Sequence, residues 1–363
     1  MDSGSRSYRD LQQHLDRAPV GYPATESGAD IMLLQHLFTP EEACIATHLS
    51  TIRLESAARI HRRVRRSGIE MTLDELRQTL DDMVRKGTLL VYSEGFPERR
   101  YKNSGVTAGG IVDFQVNRLT KELVDTFDRY HKEQFARAET TGSIGIPQLR
   151  TIPVERSIPV TEKHAVSTYD DVRWLIEHAP GPFAVANCVC RQTKDIQGKP
   201  CRYSDIRETC LQIGTDHARQ YVEMGIGRYI TKEEAFQILD RAQEAGFILQ
   251  PENSLRPADL YASNYHAAVD MALCTGCGTC VTRCQLEARE LVGGISVVDL
   301  DRCIGCGNCV VTCKSGAARM RRKEQQLVPF EDKATMYMNI MARKTGWWSM
   351  LLLRTRMLLG MRV

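Results

Sequence analysis

Apolar positions first recur at helical spacing near Ala29, after a polar stretch, residues 1–28, rich in Gly, Ser and Pro that reads as a flexible lead-in. Thr39-Pro40-Glu41-Glu42 has the form of a capping box with Pro at the first helical position, predicting a helix from Pro40 to about Ser50. A second helical run opens at Ser56 and passes through Arg66 before Gly68. A third follows the capping box Thr72-Leu73-Asp74-Glu75, where Leu73, Leu76, Leu80, Met83 and Val84 keep one face apolar up to Gly87. Alternation from Thr88 to Tyr92 predicts a strand. A turn over Ser93–Glu98 and a return strand through Tyr101 would close a hairpin.

Three helices and a hairpin make a winged-helix-like pattern, assigned to residues 29–140 together with a trailing amphipathic helix over 111–138. Residues 141–160 hold three Pro and two Gly and read as a linker. A middle domain over 161–260 should contain a helix from Tyr169 to His178 and a strand from Phe183 to Val189. The capping box Thr231-Lys232-Glu233-Glu234 opens another helix there, stopping at Gly246. Residues 261–322 are organised around two cysteine-rich loops, and 323–363 form a basic, Trp-containing tail. Strands are short throughout, so the expected fold class is α+β, helix-dominated.

Composition narrows the class. With 363 residues, 42% hydrophobic and 26% charged, the chain matches an ordinary globular protein of several domains. Its longest apolar stretch, Trp347 to Leu353 across Ser349, is far short of the roughly 20 residues that span a bilayer. The polar start lacks the apolar core of a secretory signal, so a reducing cytoplasm is the expected location.

Thirteen cysteines are then anomalous, because cytosolic thiols are kept reduced and do not make a disulfide framework. Their clustering points to metal or cluster ligation or to redox chemistry. Cys274, Cys277, Cys280 and Cys284 are separated by two, two and three residues, and Cys303, Cys306, Cys309 and Cys313 repeat those spacings. Three thiolates so close together can each take one corner of a cubane, while the fourth is turned towards a second one. Glycines at 276, 278, 305 and 307 let the backbone close around sulfur. Two zinc knuckles are the other use of eight thiolates, but zinc sites typically draw on two separated pairs rather than on repeated triplets.

On these residues the segment resembles bacterial-type ferredoxins that carry two [4Fe-4S] clusters. The resemblance implies crossed ligation: Cys274, Cys277, Cys280 and Cys313 on one cluster, and Cys303, Cys306, Cys309 and Cys284 on the other. The proline that usually follows the fourth cysteine is replaced by Gln285 and Lys314, which would shift the potentials.

A second constellation is Cys188-Val-Cys190-Arg191, Cys201 and Cys210, flanked by Lys199 and Arg202. Nearby cations favour thiolate. It is read as a third [4Fe-4S] cluster, with structural zinc or redox-active thiols as the alternatives. Cys44, on the apolar side of the Pro40 helix, reads as core, and His217 shows no metal spacing. The order winged helix, cysteine patch and dicluster segment is similar to a group of iron–sulfur proteins common in anaerobic bacteria.

Charge bears on the partners. From Lys314 onward eleven Lys or Arg oppose three Asp or Glu, so the tail is +8 and the remainder −5 within a net +3. An anionic partner surface follows from that asymmetry. Trp347 and Trp348 beside Arg343, Lys344, Arg354 and Arg356 suit peripheral membrane or protein docking. DNA is disfavoured: the helix that would enter the major groove carries Asp74, Glu75, Asp81 and Asp82 against Arg77, Arg85 and Lys86. Arg59, Arg62, Arg63, Arg65 and Arg66 on the preceding helix form a cationic patch suited to docking.

No Gly-rich nucleotide loop follows a strand and no nucleophilic triad is evident. The expected function is therefore iron–sulfur electron transfer between oxidoreductase partners, or electron delivery within a redox complex. A redox-sensing winged-helix transcription regulator is the alternative. A catalytic open iron at Cys188–Cys210 is a third reading, which four ligating thiolates would close.

Overall fold

The computed structural model describes residues 3–93, 95–105, 110–135, 146, 149–158, 170–201, 204–245, 261–330 and 333–346. The chain divides into two compact units. The first comprises residues 1–140, 180–235 and 332–363, and the second 141–179 and 236–331. Helix and strand are mixed in both.

The first unit begins with a correction. Residues 3–16 are not a mobile lead-in but a helix, α1 (Ser3–Asp16), whose Tyr8, Leu11 and Leu15 lie in the core. Tyr8 donates from its hydroxyl to the Phe38 carbonyl (2.9 Å), and His14 bonds the Leu49 carbonyl (2.8 Å). Spacing of three and four residues sets those three apolar side chains on one face. Tyr22 and Asp30 continue the anchoring: Asp30 is fully buried, and Arg9 and Thr25 satisfy its carboxylate.

Next come α2 (Ala29–Leu37), α3 (Pro40–Ala46), β1 (Glu55–Ser56), α4 (Ala57–Arg66), α5 (Leu73–Arg85), β2 (Leu89–Tyr92) and β3 (Arg100–Asn103). The capping boxes at Thr39 and Thr72 form as read from the sequence, and Ser56 caps α4. α3 ends at Ala46, four residues before the expected stop. The three strands form one antiparallel sheet in the order β1-β3-β2. Ile60, Val64, Leu76, Leu80 and Met83 fill the space between α4, α5 and that sheet without exposure.

The trailing helix expected over 111–138 is broken. Asp113–Gln115 is a single 3-10 turn, and α6 runs only over Lys121–Tyr130, capped by Thr120 and continued by a π turn at 131–135. The break centres on Asn117, whose φ of +64° no helix accommodates. Its side-chain oxygen accepts from Asn187 (2.9 Å) and Gln192 (2.7 Å). The freed segment turns Phe114 and Val116 onto Ala186, Tyr221, Met224 and Ile226. Residues 136–138 of that expectation lie outside the described residues.

Those contacts also correct the expected middle domain over 161–260, which does not stand apart. Its sheet, Glu208–Ile213 on one side of Phe183–Asn187 and Gly227–Ile230 on the other, is antiparallel throughout and belongs to the first unit. The helix Lys232–Ala245 begins at the expected Thr231 cap, and its far end belongs to the second unit. A helix over Lys333–Thr345 joins the first unit, its Lys344 reaching the Asp16 carbonyl (3.3 Å). Residues 331–332 and 347–363 of the tail, with Trp347, Trp348, Arg354 and Arg356, lie outside the described residues.

The second unit carries the ferredoxin-like segment. Tyr265–Val269 pairs antiparallel with Ala318–Arg322, and Arg289–Val292 with Ile295–Val298. The expected linker over 141–160 is not a free connection where it is described. Leu149–Arg150 pairs in parallel with Tyr261–Ala262, Val154 N–H donates to the Cys306 carbonyl (2.9 Å), and Ile158 joins the core around Cys303 and Cys309. Residues 141–145, 147–148 and 159–160 lie outside the described residues.

Gly307 sits beneath that strap at φ +80°, where an added Cβ would strike the Ser157 side chain. Gly307→Ala should therefore destabilise the unit by about 1–2 kcal/mol from the left-handed backbone alone, and by more from the collision. Urea unfolding of Gly307→Ala with Ser157→Gly should recover only the steric part.

Candidate metal centres

The first two cysteines of each triplet sit on a turn and the third lies in the short helix that follows, Thr279–Arg283 or Asn308–Val311, each entered through a left-handed glycine. A third feature decides which sulfurs meet. The last cysteine of each loop lines a cavity together with the first three of the other. Cys284, Cys303, Cys306 and Cys309 line one cavity of about 390 Å³, its open mouth included. Cys274, Cys277, Cys280 and Cys313 line another of about 360 Å³.

The two cavities differ in exposure. Cys303 and Cys309 are buried and Ile304, Leu286 and Ala288 close the wall around them, whereas Cys277 is exposed. Burial pushes the Cys306 thiol up to about 12 and raises Cys309 as well. Cys277 is lowered instead by hydrogen bonds from Thr279 and Thr275. The first pocket, with its buried sulfurs, is thus the inner one, and the second, with the exposed Cys277, the outer one.

Donors are already aimed at sulfur. Ala288 N–H points at Cys284 Sγ (3.3 Å) and Ala318 N–H at Cys313 Sγ (3.3 Å). Ser296 N–H points at Cys274 Sγ (3.5 Å), and the Cys280 thiol donates to the Ser296 hydroxyl (3.1 Å). The amide contacts stabilise thiolate and, in cluster proteins, set the potential.

Arg289 was not singled out from the sequence. It is 4% exposed, lines both cavities, and donates to Cys309 Sγ (3.2 Å) and the Ser296 hydroxyl (3.3 Å). No carboxylate pairs with it among the described residues. Burial lowers its pKa, but the Cys309 sulfur and the hydrogen bond to it more than offset that, and the net shift is upward. In the hairpin Arg289 and Ser296 point inward while Val292 and Val297 are exposed, the reverse of an ordinary sheet. Polar residues inside a hairpin mark polar cargo.

The residues fit an iron–sulfur group. The sulfur sets, the inward amides and the buried cation all suit an anionic cluster. Among the described residues no three His, Cys, Asp or Glu are drawn together tightly enough for a single ion. Residues 266–314 match the 4Fe-4S dicluster domain family. This segment is similar to ferredoxin-like dicluster domains. No curated protein and no solved structure matches the chain. A dicluster domain and a cysteine-rich chain give an iron–sulfur electron-transfer role, with [4Fe-4S] as the cofactor. No described helix is long and apolar enough to cross a membrane.

The second constellation comes only partly together. Cys188 precedes the helix Val189–Ile196, and its N–H donates to the Arg207 carbonyl (2.7 Å). A hydrogen bond from Cys190 and the charge of Arg191 bring Cys188 down to about 6, and the same bond with burial raises Cys190. Cys210, on the central sheet, is pushed up to about 12 by burial and by the charges of Cys188 and Asp113. Burial raises the Tyr221 hydroxyl, and the charge of Cys210, to which it is bonded, raises it further. Cys201, half-buried on the intervening loop, has Arg207 as an electrostatic neighbour. Arg202 lies outside the described residues.

Cys44 is half-buried, its thiol raised by burial, in keeping with a packing role. His217 is exposed. The α4 cations divide: Arg59 and Arg63 pair with the buried Glu55, while Arg62, Arg65 and Arg66 are exposed. On α5, Asp74 pairs with Arg77 and Asp82 with Arg85.

Proposed function

We propose that this protein relays single electrons between oxidoreductase partners through two [4Fe-4S] clusters in crossed ligation, with a third cluster in the first unit. The supporting observation is the sorting of the eight sulfurs into two cavities, Cys274, Cys277, Cys280 and Cys313 around one and Cys284, Cys303, Cys306 and Cys309 around the other. When bound, each cluster supplies a one-electron couple and makes or breaks no bond to substrate. The chain's own residues hold it, dry it and set its charge environment.

The outer site is the electron port in this reading. Cys277 is exposed there, and Met271, Leu273 and Leu291 are exposed apolar side chains of the same unit, suited to a transient redox partner. The inner site is the relay. Cys188, Cys190 and Cys210, with Cys201 as fourth ligand, would hold the third cluster. A winged-helix arrangement of the first unit, supported by its element order and the β1-β3-β2 sheet, would dock an acidic protein through Arg62, Arg65 and Arg66. The acid–base pairs that cover α5 support docking over DNA binding.

Anaerobic iron and sulfide quantification with EPR of the reduced protein tests this. About twelve irons per chain are expected, and about eight would leave the dicluster segment alone. Cys201→Ser should lower the count by about four. An unchanged count in that variant removes Cys201 from the ligand set, and colourless, zinc-loaded protein removes the whole reading.

A further inference from the structure

The geometry points to Arg289 as the shared counter-charge of both cluster sites, a positioning residue that raises the two reduction potentials together. The inference rests on the dicluster reading and adds a role that no cysteine spacing implies.

A buried guanidinium needs a negative partner, because an unpaired buried charge is costly. Arg289 is 4% exposed, and among the described residues no carboxylate pairs with it. What surrounds it is sulfur. One arm of the fork bonds Cys309 Sγ at 3.2 Å, on the inner cavity. The other bonds the Ser296 hydroxyl at 3.3 Å, which lies 3.1 Å from Cys280 Sγ on the outer cavity. Both cavities include Arg289 in their lining. The register fixes this placement: Arg289 pairs with Val298 and Leu291 with Ser296, so Arg289 and Ser296 share the face that looks inward.

The physical consequence has a sign. One electron added on either side increases negative charge near a fixed cation, with no proton taken up and no bond changed. The reduced form gains more from Arg289 than the oxidised form does, and the potential rises. Low effective dielectric keeps the effect large, and position between the sites makes it common to both.

The test is an EPR-monitored redox titration of the reconstituted full-length protein with Arg289→Lys and Arg289→Met. In Arg289→Met both couples should become harder to reduce by tenfold or more, about 59 mV for one electron. Arg289→Lys should keep most of the wild-type position. Loss of iron in Arg289→Met but not in Arg289→Lys supports the same role. Equal potentials in all three proteins, a shift confined to one couple, or equal iron loss in both variants overturns it. Iron counts on the wild-type protein separate the two failures: without about eight irons the dicluster reading itself falls, whereas a full complement with unmoved potentials rejects Arg289 alone.

Discussion

Cys306→Ser should abolish one redox couple completely and leave the others, with a loss of about four irons per chain. The serine oxygen is a short, hard donor that stays protonated, and nothing else in the inner cavity replaces the sulfur. The neighbouring wall is apolar: Leu286, Ile304 and Ala288 are buried there, and the site admits little water to stand in as a ligand. Loss of the group should also loosen the strap, since Val154 N–H is bonded to the Cys306 carbonyl and Ile158 packs beside Cys303 and Cys309. Because metal binding and folding are coupled, the variant should melt earlier than wild type and be cut by protease near residues 149–158.

The same experiment reads the crossing. Cys284 follows the first triplet in sequence but lines the cavity of the second, and Cys313 does the opposite. Cys284→Ser should therefore remove the couple lost in Cys306→Ser, and Cys313→Ser the couple lost in Cys277→Ser. EPR of the four variants decides it. If Cys284→Ser instead removes the Cys277 couple, each loop holds its own cluster and crossed ligation is wrong.

How legible these features were depended on how local their causes are. The capping boxes at Thr39 and Thr72 and the Thr231 cap involve residues three apart, and they start helices where the sequence placed them. Cysteine spacing is equally local, and the tight loops follow from it. The long helix after the hairpin failed because its breaker acts at a distance: Asn117 takes a left-handed conformation stabilised by Asn187 and Gln192, some seventy residues away in the chain. The proline-rich strap failed similarly, its partners being Tyr261–Ala262 and the Cys306 carbonyl. Four cysteines at 188–210 looked like one site, yet the structure gathers Cys188, Cys190 and Cys210 more evidently than Cys201. Arg289 was hidden because a lone arginine in a short strand has no local signature; only its inward direction, set by the register, makes it notable.

The largest stability effect should come from the first helix. Tyr8, Leu11 and Leu15 stand three and four residues apart, but the Gly, Ser and Arg around them dilute the pattern. In the fold Leu11 has no exposure and Leu15 has 3%. Leu11→Ala should cost about 2–5 kcal/mol in urea or thermal unfolding of the first unit. Removal of residues 1–17 should do more. It strips all three apolar side chains from the core, leaves the Phe38 and Leu49 carbonyls without their Tyr8 and His14 partners, and deprives the buried Asp30 of Arg9. An uncompensated buried carboxylate alone costs about 3–5 kcal/mol when its partner is removed. The total is comparable with the whole stability of a typical domain, about 5–15 kcal/mol, so the truncated first unit should not fold, while iron binding by the dicluster segment should persist. Wild-type-like melting after truncation would return residues 1–17 to the role of a mobile lead-in.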